Sequence, residues 1–224
     1  VRYRNDAIGT VVDALFSEVE ASGDQDELDV RLAVEGTVSH PTLTDTVHAR
    51  LGAAGRLLAD VVELESLALA ARGDMAAGNA LTMNSSGVLA ISPEAELRLI
   101  LDGWIDGGAV LPLVAAASAA PAASGLLDVS GSLEGSWTDL EWTAVVTSES
   151  ITLTDISVAE VALHASGAAD TITVDHLALR ALGGDAEVRG SVALAGAVPS
   201  IRGSGRVRGI DVAAIQGSPL HGKV

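Results

Sequence analysis

The sequence predicts an all-β protein with one or two short connecting helices, and three observations carry that expectation. Apolar residues alternate with polar ones: between residues 161 and 194, Ile172, Val174, Leu177, Leu179, Val188, Val192 and Leu194 fall mainly at every second position. Period two places them on one face of a sheet and leaves the other face polar. Glycines punctuate the runs at the spacing of turns in a chain of strands. The signature [LV]-A-L-x-A-x-G also recurs, at residues 67–73, 161–167 and 177–183, as expected of a repeat architecture.

Composition narrows the class. A chain of 224 residues is long enough to bury a core. Hydrophobic residues make up 48% of it and aromatic ones 2%, so its apolar surface is nearly all Ala, Val, Leu and Ile. Such a lining is smooth and shallow where a compact sandwich leans on buried rings. The net charge of −17 repels nucleic-acid phosphates and offers no basic cluster to anionic headgroups, so no nucleic-acid partner is expected. With no cysteine there are no disulfides or thiolate metal sites. The chain opens at Val1 without a signal-like segment, which leads us to expect a piece of a longer protein.

In chain order, residues 8–22 place Val11, Val12, Leu15, Phe16 and Val19 at helical spacing with Gly23 as a stop, which predicts a short amphipathic helix. Residues 23–29 crowd acidic side chains but lack the ordered spacing of a calcium loop, so a solvated turn is expected. Alternation starts at Leu28 and resumes in short, glycine-punctuated strands over residues 61–91 and again at Leu97, Leu99 and Leu101. Strands of five to eight residues are the expectation. Residues 107–127 carry no charge but are rich in Ala, Ser and Gly and broken by Pro112 and Pro121. They are expected to form a short helix or loop at one end of the sheet rather than a membrane span.

LDVSGSLEG at residues 127–135 echoes LDVRLAVEG at 28–36, offset by 99, and Val12-Asp13, Ile105-Asp106 and Ile210-Asp211 form a second echo. A unit of about 100 residues follows. The expected division is a first β-groove unit over 1–104, a second over 105–209 and the start of a third over 210–224.

No catalytic chemistry is legible. His40, His48, His164, His176 and His221 are scattered without zinc-ligand spacing. The glycines of residues 203–209 do not space a phosphate loop, and read as a glycine-bent strand with two outward arginines. Glu160, Asp170, Asp175, Asp185 and Glu187 are spread over turns and polar faces, and no nucleophile elbow occurs. Neither enzymatic activity, metal nor cofactor is expected.

One resemblance organises these features. A strand followed by G-x-[IV]-D (Gly103 to Asp106), an apolar connector, S-G-x-L-x-[VS]-x-G-x-x-x-G (Ser124 to Gly135), then the alternating run from Ile172 to Leu194 resembles the TamB family of AsmA-like envelope proteins, with a second start at Gly209 to Asp211. The resemblance implies an elongated curled β-sheet, or β-taco, with a hydrophobic concave face. It implies a conduit shielding phospholipid acyl chains between inner and outer membranes in support of outer-membrane biogenesis. The setting would be the periplasm of a diderm bacterium, with the parent protein anchored in the inner membrane outside this segment. An Omp85-family outer-membrane barrel would be a partner through a C-terminal part that is missing here. On this reading Ile151, Leu153, Ile172, Val174, Leu177, Leu179, Val188, Val192 and Leu194 line the groove. A β-solenoid passenger or adhesin would also show glycine-punctuated strands, with stricter rung periods and more Asn and Thr. A filled interior would favour that alternative and an open apolar groove the conduit.

Overall fold

The computed structural model describes residues 2–5, 10–24, 27–39, 46–58, 61–73, 78–90, 92, 96–114, 123–136, 138–153, 156–168, 170–194 and 200–211. Their strands are β1 (Arg2–Asn5), β2 (Thr10–Gly23), β3 (Leu28–Ser39), β4 (Val47–Leu57), β5 (Val61–Gly73), β6 (Leu81–Ala90) and β7 (Leu97–Asp106). After helix α1 (Gly107–Val114) come β8 (Ala123–Ser124), β9 (Leu126–Ser136), β10 (Asp139–Leu153), β11 (Ile156–Ala168), β12 (Thr171–Ala181), β13 (Gly184–Ala193) and β14 (Ser200–Arg208). All belong to one antiparallel sheet, ordered as the chain runs except that β9 follows β7 directly and the two-residue β8 pairs the end of β10. The sheet is an elongated, curled meander and does not close, with β1 and β14 as its edges. It runs unbroken past residue 104, since β7 pairs both β6 and β9.

Strands are longer than the sequence suggested, most running nine to fifteen residues. The helix expected over residues 8–22 is instead strand β2, paired along its length with β3. A register shift between Phe16 and Glu18 explains the misleading pattern. Val12 and Phe16 stand opposite Val38 and Val34, and after the shift Val19 stands opposite Leu32. Steps of four and three thus imitate a helical turn while keeping one face of a strand, because the bulge flips the side-chain phase.

The same device explains the repeated signature. Each copy of [LV]-A-L-x-A-x-G begins where a ladder shifts register: between Leu64 and Leu67, between Ala159 and Ala162, and between Val174 and Leu177. At the second, Glu160 takes a left-handed φ of 52°, unusual for a residue with a side chain. Both stretches of the echo, residues 28–36 and 127–135, lie in strands, β3 and β9. The Val12-Asp13 echo is not equivalent: Asp13 sits inside β2, opposite Thr37. Asp106, by contrast, ends β7 and caps α1, its carboxylate accepting from the Gly108 N–H at 2.9 Å.

Of the glycines expected at strand ends and turns, Gly23 and Gly73 end β2 and β5, Gly78 lies in the connection to β6, and Gly183 and Gly184 serve a hairpin. Leu182 and Gly183, at φ 52° and 78°, form the tight β12–β13 turn, whereas Gly167 and Gly190 lie within β11 and β13. The acidic stretch after Gly23 is the expected turn, closed by the Asp24 N–H donating to Glu27 O and the Glu27 N–H to the Asp24 carboxylate.

No second sheet or helical layer covers this one among the described residues; α1 packs mainly against β5, β7 and β8. The chain exposes 13990 Å², against about 9,500 Å² for a compact monomer of its mass. Buried apolar residues are few and mostly small, with Leu97 the one large side chain below 2% exposure among the described residues.

Candidate functional site

Residues opposite one another in an antiparallel ladder share a face, so the registers sort every paired position into two sets. One column runs Val34, Leu51, Leu69, Met83, Gly103, Val129, Val146, Leu163, Leu177, Val188 and Gly205, each the ladder partner of the next. It crosses eleven strands, β3 to β14, without a polar residue. Neighbouring columns on the same face are equally apolar, as in Val30, Gly55, Leu64, Gly87, Leu99 and Leu133. Among the paired positions of this face no Asp, Glu, Lys or Arg occurs; from β3 to β14 its polar residues are the buried Ser85 and Ser148, and at the β1–β2 edge Asn5 and Thr10 fall on it by register. The Ser148 hydroxyl donates to Leu126 O at 2.5 Å, while the Ser85 hydroxyl has no partner.

The nine residues expected to line the groove sort cleanly. Ile172 and Val174 precede the β12 shift and Leu177 and Leu179 follow it, yet all four occupy the apolar face, opposite Val192, Gly190, Val188 and Ala186. Ile151 stands opposite Val158, which stands opposite Ala181, on that same face. Val146 and Ile151 share it despite an odd spacing, because the phase flips at Glu149 and Glu160. Leu153 holds that register opposite Ile156, and Leu194 continues the alternation of β13 past its end, 47% exposed. Sequence reasoning placed the surface in the last third of the chain and missed its extension through β3 to β9. The signal was present as alternation, broken by bulges that the count by twos does not survive.

Glycine shapes this face. A Cβ built on Gly103 would lie 2.1 Å from Thr82 O, and one on Gly131 2.2 Å from Thr143 O, so the apolar side of the sheet is compressed there. Gly52, whose partner Ala33 lies among the polar positions, has nothing within 4 Å. The sheet therefore bends toward its apolar face, and side chains on that face shelter one another to half-burial without a covering layer. Trp142 lies over Gly167, its ladder partner, filling the space that glycine leaves.

The other face carries the charge. Arg50 bonds Glu35 through Nε at 2.7 Å, Arg98 meets Glu134 at 3.2 Å, and Arg180 meets Glu160 at 2.5 Å. Glu27 first, and then a hydrogen bond to Asp29, hold the Arg56 guanidinium above its usual range. A cleft of about 860 Å³ opens on this polar face beside Glu35, Thr37, His48, Arg50 and Arg72. His164 and His176 face each other across β11 and β12 with ring centroids 6.3 Å apart, and His48 stands opposite Thr37; His40 and His221 lie outside the described residues. No group of three His, Cys, Asp or Glu able to hold a metal occurs among the described residues. Arg206 and Arg208 both fall on the polar side of β14, as the sequence suggested, and Arg202 before them shares that side.

No helix among the described residues is long and apolar enough to cross a membrane; α1 ends at Val114, and residues 115–122 lie outside those described. Comparison with family models, characterised proteins and solved structures finds no match to this chain.

Proposed function

We propose that this chain is a lipid-conducting segment of a TamB-like envelope protein, its apolar face shielding phospholipid acyl chains as they pass between inner and outer membranes. The observation that carries this reading is the charge-free apolar face that spans the sheet from β2 to β14 without a covering layer. Water against so large an aliphatic surface is costly, and each methylene that replaces it gains about 0.8 kcal/mol. A lining of Ala, Val, Leu and Gly offers no directional contact, so a tail is held everywhere and arrested nowhere. The charges on the opposite face keep the outside wetted. The reading needs no catalytic group. Its setting is the periplasm of a diderm bacterium, and an Omp85-family barrel is a partner of the parent protein rather than of this segment. A solenoid adhesin is the weaker alternative, since it would bury its interior.

Native mass spectrometry of the chain purified from cells, with lipid extraction, tests the proposal. Phospholipid masses released in proportion to protein are expected; a chain that carries none, and takes none from vesicles, would contradict it.

A further inference from the structure

Among the described residues, the part of β2 that β1 leaves unpaired and the outer side of β14 bear opposite charge. Along the outer side of β2, from Leu15 to Gly23, no described strand is paired, and here Glu18 and Glu20 project from the polar face while Val19, 64% exposed, projects from the apolar one. Along β14 every residue is exposed; Arg206 and Arg208 project from the polar face and Val207, 45% exposed, from the apolar one. Arg206 and Arg208 stand opposite Glu187 and Asp185 of β13. An open edge of unpaired N–H and C=O groups is a template for another strand.

We propose that copies of this chain join head to tail, β14 of one pairing antiparallel with the β2 edge of the next. One register satisfies both faces together. Arg208 stands opposite Glu18 and Arg206 opposite Glu20, while on the other face Val207 meets Val19, Gly205 meets Ala21 and Gly203 meets Gly23. The alternation of strand directions is preserved across the joint, because β2 and β14 run in opposite senses in the sheet order. The apolar face thus continues from copy to copy. Because the two edges differ, the contact is heterologous and leaves a free edge at each end, so it extends rather than stopping at a dimer. The ladder hydrogen bonds supply the attraction, and the opposed charges select partner and register. This inference does not depend on lipid.

The test is sedimentation of the 224-residue chain in lipid-free buffer at physiological ionic strength, where the net charge of −17 is screened. Species larger than a dimer should grow with concentration. The pair Glu18→Arg, Glu20→Arg, and separately the pair Arg206→Glu, Arg208→Glu, should each weaken association about tenfold or more by setting like charges opposite. Mixing the two variants should restore it, a rescue that misfolded chains would not give. With no native cysteine, Val19→Cys mixed with Val207→Cys should yield the mixed disulfide. A monomer at every concentration, association indifferent to either reversal, no rescue on mixing, or crosslinking of Val19→Cys chiefly to itself would each overturn the proposal.

Discussion

At the scale of the residue, glycine rather than any polar group is the specialised side chain of this molecule. Gly103 faces the apolar side where Thr82 O and the Met83 backbone leave no room for a methyl group, whereas Gly52 faces open space. Gly103→Ala should therefore destabilise the chain by about 1–3 kcal/mol, the cost of forcing a methyl into a packed site. Gly52→Ala should move stability by no more than about 0.5 kcal/mol. Urea midpoints of the two variants decide it, and equal midpoints would contradict the bending of the sheet. The surface ion pairs weigh less. Arg180 and Glu160 are 60% and 62% exposed, so Arg180→Ala should cost at most about 1 kcal/mol in the same measurement.

At the scale of the element, the β-bulges decide which face a strand presents. Glu160 is the extra residue that lets Val158 and Val161, three apart, both serve the apolar face. Its deletion should turn one half of β11 over and expose Val158, now 7% exposed. The loss should be about 2 kcal/mol or more, the burial of one valine side chain. Glu160→Ala keeps the count and should cost far less, so comparing the two in urea separates the bulge from its carboxylate. These same bulges mark the limit of what could be read from the sequence. Alternation from Ile172 to Leu194 revealed strands and their common face, and the repeated signature pointed to a recurring unit. The slip at Ser17, however, turned a strand into an apparent helix, because a bulge changes a period of two into steps of three and four. Strand lengths were underestimated for a related reason: Gly36, Gly87, Gly103, Gly131 and Gly167 lie within strands, where they allow bending, and not at their ends.

At the scale of the whole molecule, a single curled sheet with a charge-free inner face and a charged outer one is an unusual way to dispose of 48% hydrophobic residues. A sandwich would cover that face with a second sheet about 10 Å away. Here the exposed area exceeds that of a compact protein, so the radius of gyration by X-ray scattering should stand clearly above the roughly 17 Å of a 224-residue globule. Far-ultraviolet circular dichroism should be dominated by strand. A compact radius or a helical spectrum would remove the basis for an open groove.

The most direct test of the central claim is photocrosslinking in cells from single positions on the two faces of β12. Val174 and Leu179 occupy the apolar face; Thr173 and Arg180, their sequence neighbours, occupy the polar one. Lipid adducts should form from Val174 and Leu179 and not from Thr173 and Arg180. In parallel, Val174→Asp or Leu179→Arg should abolish lipid passage even where the sheet remains folded, since an unpaired charge against hydrocarbon is costly. Equal labelling of both faces, or labelling of neither, would contradict the account.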